Sequence, residues 1–393
     1  MRPLRVCGTI ILLVLGTCAG AAAPAAQGER PALYVLLADN RLLALGADGS
    51  EVFRLRLGPR ERQPAIGPHL AVGPRGRLLY ALVQGSARSG DSVVVVDTVR
   101  RAIVSRIGLP RRTIFRALAL APRTQRVFAV GDRPAQGPQE PVVAAVDTRR
   151  RRLLWSGVVH VSGGLDWWVY QAVVEPGEAS LLVSYHGAST TGADRFVLRP
   201  RGVQPCARPA GTRAGLACIS LHGRVEPYRG GLLAATGDPR AILVLDRDGH
   251  ELRRLDPHLD GNHLMEFALD RGRGLLYSVG SCGYSGGLVE LAVATNRVRL
   301  LEQPRNRRIC GDRLVVLGSS LLAIDRTPLP IPGFGSGGAI QFVRRSDGAL
   351  DYETPTPADA VDLVAVPKEG LAERRCADRS ALLVPMLCPR SRP

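Results

Sequence analysis

The sequence predicts an all-β protein: a seven-bladed β-propeller of four-stranded antiparallel blades, closed by pairing of the C-terminal strand with the N-terminal blade. Three observations carry this expectation: a repeated strand pattern, its period and its incomplete ends. The clearest copy, LAVGPRGRLLYALVQ at residues 70–84, runs on to SVVVVDT at 92–98 and RAIVSRIGLP at 101–110. An apolar strand, a Pro/Gly/Arg turn, a second apolar strand, a third strand ending in Asp and a fourth strand make one propeller blade.

The period comes from related copies, which place the first turn near Pro74, Pro122, Pro176, Pro227, Arg271, Ser319 and Pro367. Successive turns lie 44 to 54 residues apart, the length that four short strands and their turns require. The last copy stops after one strand, whereas LYVLL, RLLAL and EVFRLRL at residues 33–57 supply three strands without a first. The segment near 361–366 therefore completes the N-terminal blade and removes the sheet edge that an open ring would expose. The propeller is expected over residues 31–367.

Residues 1–26 read as a secretory signal peptide, with two Arg, an apolar stretch from Ile10 to Leu15 and a small-residue region near Ala25 and Ala26. The apolar run is short for a membrane span, so no transmembrane segment is expected in the mature chain. Cys18 in LGTC only partly fits a lipidation site. The expected location is secreted or cell-envelope associated, as a monomer, with residues 371–393 forming a C-terminal tail.

Export changes how the cysteines are read. Six remain after the leader, Cys206, Cys218, Cys282, Cys310, Cys376 and Cys388, and six cysteines allow fifteen pairings. The blade map favours sequential pairing, because Cys206 and Cys218 flank one connection, Cys282 and Cys310 share a face and the last two share the tail. No zinc spacing is present, no cofactor is expected, and whether the channel holds a metal is left open.

The formal charge is +17, and Lys368 is the single lysine among 52 basic residues. In an exported protein this points away from nucleic acid and toward acidic glycans, cell-wall polymers or a protein partner, beside the plainer reading of a solvated basic surface.

The repeat resembles that of bacterial YVTN-type β-propellers. GPHLAVGPRGRLLYALVQ followed by VVVVDT matches that pattern at Gly67, Pro68, Leu70, Ala71, Val72, Pro74, Gly76, Leu79, Tyr80, Asp97 and Thr98. The match is strong in the second blade, moderate at 117–155 and 268–302, and elsewhere rests mainly on period. Pro74 and Gly76 suit a tight turn, and Asp97 and Asp147 suit capping of the next hairpin. The resemblance implies a propeller and no single activity.

Lactonase-type propellers carry His in comparable first-strand positions, which His69 matches. Counting five residues back from six of the seven turns aligns His69, Ala117, Gln171, His222, Glu266 and Asp362, a mostly polar ring at the channel mouth able to bind a metal or supply a general base. Rim loops add Trp167, Trp168, Tyr170, Tyr185, His186, Tyr284 and Phe334 as candidate stacking residues, with Arg116 as a polar contact. The candidate ligand-binding set is thus His69, Arg116, Trp168, Tyr170, Gln171, His222, Glu266, Tyr284 and Asp362. Ala145, Asp147 and Trp155 share the spacing of a tryptophan-docking motif, but Arg150, Arg151 and Arg152 break it. DRDGHE at 246–251 reads as a hairpin turn rather than a calcium loop. The expected function is a secreted, non-catalytic propeller that binds a glycan, envelope polymer or protein through its loop-rich face. The alternative is a lactonase-like or other hydrolase working at the channel mouth.

Overall fold

The computed structural model describes residues 30–59, 69–86, 89–133, 140–159, 167–187, 191–205, 221–237, 240–246, 249–256, 266–280, 287–302, 309–311, 313–326 and 338–366. Two compact units divide the chain, residues 1–30 and 31–393, and the architecture below is that of the second. The expected signal peptide and C-terminal tail lie outside the described residues.

Among those residues the strands form seven four-stranded antiparallel sheets. Blade two shows why. Leu78–Val83 and the Val93–Val96 run of Ser92–Asp97 consist of Leu, Val, Ala and Tyr and are almost wholly buried, because neighbouring blades cover both of their faces. The fourth strands, such as Glu51–Arg56 and Ala102–Gly108, are more exposed, and Glu51–Arg56 carries charge at Glu51, Arg54 and Arg56. In six of the seven blades the pairing of third and fourth strands carries a register shift, which kinks the outer edge and discourages pairing between molecules.

Blade one is built as expected from both ends of the chain. Ala360–Ala365 pairs antiparallel with Leu33–Leu37, with Val364 opposite Tyr34 and Leu363 opposite Val35. The ring is also closed in its packing, since the apolar core is divided into seven clusters, each filling the gap between two successive blades. Phe342 of blade seven packs with Leu33 and Val35 of blade one, the contact that an open ring would lack.

The motif residues of the best repeats tie neighbouring blades together. Asp97 Oδ1 accepts the main-chain N–H groups of Val99 and Arg100, at 3.1 and 2.9 Å, and Asp147 does the same for Arg149 and Arg150. The Thr98 hydroxyl donates to the carbonyl of Gly76 at 2.7 Å and is hydrogen-bonded by Tyr34 of the preceding blade. Tyr80 bonds Thr148 in the same way. Each Tyr thus latches its blade to the next, and burial raises the pKa of both phenols.

Arginine serves the same end at several gaps. Arg101 reaches the carbonyl of Val52, Arg151 that of Val104, Arg253 that of Ala294 and Arg273 that of Ser319, each on an adjacent blade. Part of the arginine excess is therefore structural, because a five-donor fork can bridge carbonyls that a sheet edge leaves unpaired. No helix among the described residues is long and apolar enough to cross a membrane.

Candidate functional site

The innermost strands of blades four to seven and the closing strand surround a cavity of about 330 Å³. Tyr170, Gln171, Arg224, Glu226, Glu266, Arg271, Arg313 and Asp362 supply its polar wall, and Leu70, Leu269, Leu314–Val316 and Leu363–Ala365 supply apolar surface. A small concave space with convergent polar groups on apolar walls is the usual form of a ligand site.

Its centre is Glu266, which directly precedes the strand Phe267–Asp270 and is only 7% exposed in its side chain. Tyr170 donates its hydroxyl to Glu266 Oε1 at 2.9 Å, and Arg313 pairs with the same oxygen. Arg224 reaches Oε2 at 3.4 Å. Arg224 also holds Glu226 Oε1 at 2.8 Å, while Arg271 holds Glu226 Oε2 at 2.9 Å. Side chains from four blades thus meet in one charged network. Burial works against the charges on Arg224 and Arg313, but the facing carboxylates more than offset it and raise both guanidinium pKa values. Burial and the neighbouring Glu266 push the Tyr170 phenol upward too, so it remains a donor at any physiological pH.

Asp362 is 6% exposed and belongs to the closing strand. Its Oδ2 accepts the N–H groups of His69 and Leu70, both at 2.7 Å, across the seam into blade two. Oδ1 accepts the N–H of Leu363 at 2.9 Å. Burial pushes its pKa up to about 6, against the pull of Arg313, these main-chain donors and Arg224. Gln171 has a comparable task, since its Oε1 accepts the N–H of Val225 in blade five at 2.7 Å.

Of the residues expected from sequence, Tyr170, Gln171, Glu266 and Asp362 come together on this cavity. His69 sits at the seam and is fully buried, and Arg116 turns to Asp132, with Nε 2.5 Å from Oδ1; neither lines the cavity. Trp168 and His222 lie on the strands Trp167–Val174 and Leu221–Tyr228, and their side chains are outside the described residues, as is Tyr284. Tyr185, expected on the rim, is a core residue at 1% exposure. Cys310 is disulfide-bonded, with its partner outside the described residues, as are the other five cysteines. Among the described residues no group of three or more His, Cys, Asp or Glu is placed to hold a metal ion.

Arg224 and Arg313 are the residues that sequence reasoning missed. Counting back from Pro227 assumes a turn there, yet Pro227 is paired with Leu232 inside the strand. The turn is the two residues Arg229 and Gly230, both at positive φ, +46° and +84°, as tight hairpins require. The strand therefore runs further than expected, and its register slips between Leu221 and Val225, so Arg224 meets Glu266. In blade seven the same count falls on Leu314, one residue beyond Arg313. For Arg313 the available signal was an arginine at the start of the apolar strand Arg313–Leu317, hidden among so many other arginines.

No protein-family model and no curated protein matches the sequence. Solved structures do match in fold. A functionally unknown protein from Desulfotomaculum acetoxidans is 10% identical, with 86% of this chain and 99% of that one covered at a TM-score of 0.58. The periplasmic gluconolactonase of Pseudomonas aeruginosa is 16% identical over the same shares, 86% and 99%, at a TM-score of 0.54. At such identities the likeness concerns the fold alone.

Proposed function

We propose that this protein is an exported, non-catalytic propeller that binds an acidic glycan, an envelope polymer or a protein segment at the face where its central cavity opens. The observation that carries this reading is the cavity itself, where Tyr170, Arg224, Glu266 and Arg313 converge from four blades onto a space that apolar strand residues also line. Such a wall orients a polar group and leaves apolar surface for the body of a ligand.

A hydrolase reading draws on the lactonase-like fold, but the acid–base candidates in the cavity are already committed. Glu266 is held by three donors and Asp362 by three main-chain N–H groups, which leaves neither carboxylate poised to take a proton from water. The YVTN assignment is supported by the latches from Tyr34 to Thr98 and Tyr80 to Thr148, which give that repeat's Tyr and Thr a physical role. Export by the 1–26 leader, pairing of Cys282 with Cys310 and of the remaining cysteines in sequence, and a disulfide-closed tail at 371–393 complete the reading.

The test is a screen of immobilised acidic glycans and envelope polymers with the purified full chain, followed by titration of any hit by calorimetry. Arg224→Met is expected to weaken binding at least tenfold, as loss of a charged hydrogen bond of about 1.5–3 kcal/mol requires, with the ligand recovered intact. Binding indifferent to Arg224→Met would remove the cavity from the account. Turnover of a lactone that disappears in His69→Ala or His222→Ala would favour the hydrolase.

A further inference from the structure

The donors around Glu266 form a carboxylate site whose present occupant is the protein's own side chain. One oxygen faces the Tyr170 hydroxyl and Arg313, the other faces Arg224, and these three donors come from three different blades. Planar guanidinium forks and a phenol suit a planar, two-oxygen anion. The remaining acceptors on the wall are already used: Glu226 takes Arg224 and Arg271, and Asp362 takes main-chain N–H groups. A ligand that brings hydroxyl donors therefore finds few acceptors, whereas one that brings a carboxylate finds a complete set of donors.

Resting on the cavity as the binding site, we propose that the ligand is recognised through a single carboxylate, which takes the place of Glu266 between Tyr170, Arg224 and Arg313. A dianion such as phosphate is disfavoured, because Glu226 and Asp362 line the same cavity and would oppose the second charge. Glu266 acts as a resident competitor. It keeps the site closed to small free anions and yields only to a ligand that also covers the apolar strip at Leu314 and Leu363. That requirement selects an acid with a compact apolar or amphipathic body over inorganic salts.

Glu266→Ala removes a CH2–COO⁻ unit, the atoms of acetate, and makes the claim testable without knowing the natural ligand. In sodium chloride the variant is expected to melt roughly 5–10 °C below the unaltered protein, as for a buried ion pair stripped of one partner. Sodium acetate at the same ionic strength should restore most of that loss, saturably, while sodium phosphate should not, and the unaltered protein should melt equally in acetate and chloride. If the variant does not fold in chloride, the soluble yield on refolding in acetate against chloride is the readout. Equal melting or equal yield in the two salts would overturn the proposal, and rescue by phosphate as good as by acetate would overturn the carboxylate assignment. Either failure leaves the cavity reading standing, because that reading is tested separately by Arg224→Met with Glu266 in place.

Discussion

Blades two and three form the arc that contains the most faithful copy of the repeat, and of the two only Leu70 of blade two reaches the cavity; blades four to seven and the closing strand, among which blade six alone keeps the repeat moderately, form a looser arc and supply all the rest of the wall. In the faithful arc, neighbours are joined by neutral latches, as where Tyr80 meets Thr148, beside arginine bridges to main-chain carbonyls such as that of Arg151 to Val104. In the loose arc the same position carries Arg345, which is 3% exposed in its side chain. Its Nε lies 3.0 Å from the Tyr277 hydroxyl, its Nη1 donates to the Gly318 carbonyl at 2.7 Å, and Asp270 pairs with it across the gap. The guanidinium also stands over the Tyr277 ring, 4.9 Å from its centre, and burial pushes that phenol up to about 12. At this gap buried charge has replaced the neutral latch of the repeat.

The two arcs are joined by Ala360–Ala365, and removal of that strand is expected to have the largest effect. A chain ending at residue 355 is expected to lose the cooperative fold and aggregate, since it exposes the edge of Leu33–Leu37 and deletes part of two core clusters. Size-exclusion chromatography of the refolded chain checks this, and a monodisperse, folded product would separate closure from stability.

Next in size is Arg313→Met, which removes one partner of a buried pair and should cost about 3–5 kcal/mol in a urea titration. A loss below about 1 kcal/mol would mean that the charged arc is no more vulnerable than a neutral latch.

Asp362 gives a prediction about pH. Its pKa in the folded chain is pushed up to about 6, above the ordinary aspartate value of 3.8, so the folded state binds the extra proton. Its contribution is fully present below about pH 4, falls as pH rises toward 6 and is lost above that, an upper bound of about 3 kcal/mol by linkage. Asp362→Asn keeps an acceptor for His69 and Leu70 and should remove this slope. Stability curves for the two chains that stay parallel between pH 4 and 7 would show that the main-chain donors outweigh burial.

The smallest effect belongs to the neutral latch. Tyr80→Phe deletes one hydroxyl of a neutral latch and should cost about 0.5–1.5 kcal/mol, with no change in any ligand binding. A loss equal to that of Arg313→Met would erase the distinction between the arcs.

Legibility in sequence follows the same division. The strand runs, the Asp turns and the split first blade were readable from residues 33–57, 70–98 and 361–366 because each depends on near neighbours or on a strict period. Glu266, Asp362 and Gln171 were readable as polar residues on inward-facing strands, and Tyr170 only as an aromatic of the rim. Their partners were not. Arg224 escaped because its register depends on a two-residue turn and an adjacent irregularity in pairing, and Tyr185 was misplaced because a loop-proximal aromatic can face core or solvent equally well.

The all-β class, the number of blades and the closing strand follow from residue order alone, since apolar runs and their period are local quantities that the chain carries along its length. Only the tertiary structure decided that Tyr170, Arg224, Glu266 and Arg313, spread over 144 residues of sequence from 170 to 313, meet around one cavity. That meeting is set by how many residues each turn consumes and by where each ladder slips, and a change of one residue in either re-aims a side chain from the channel to the core.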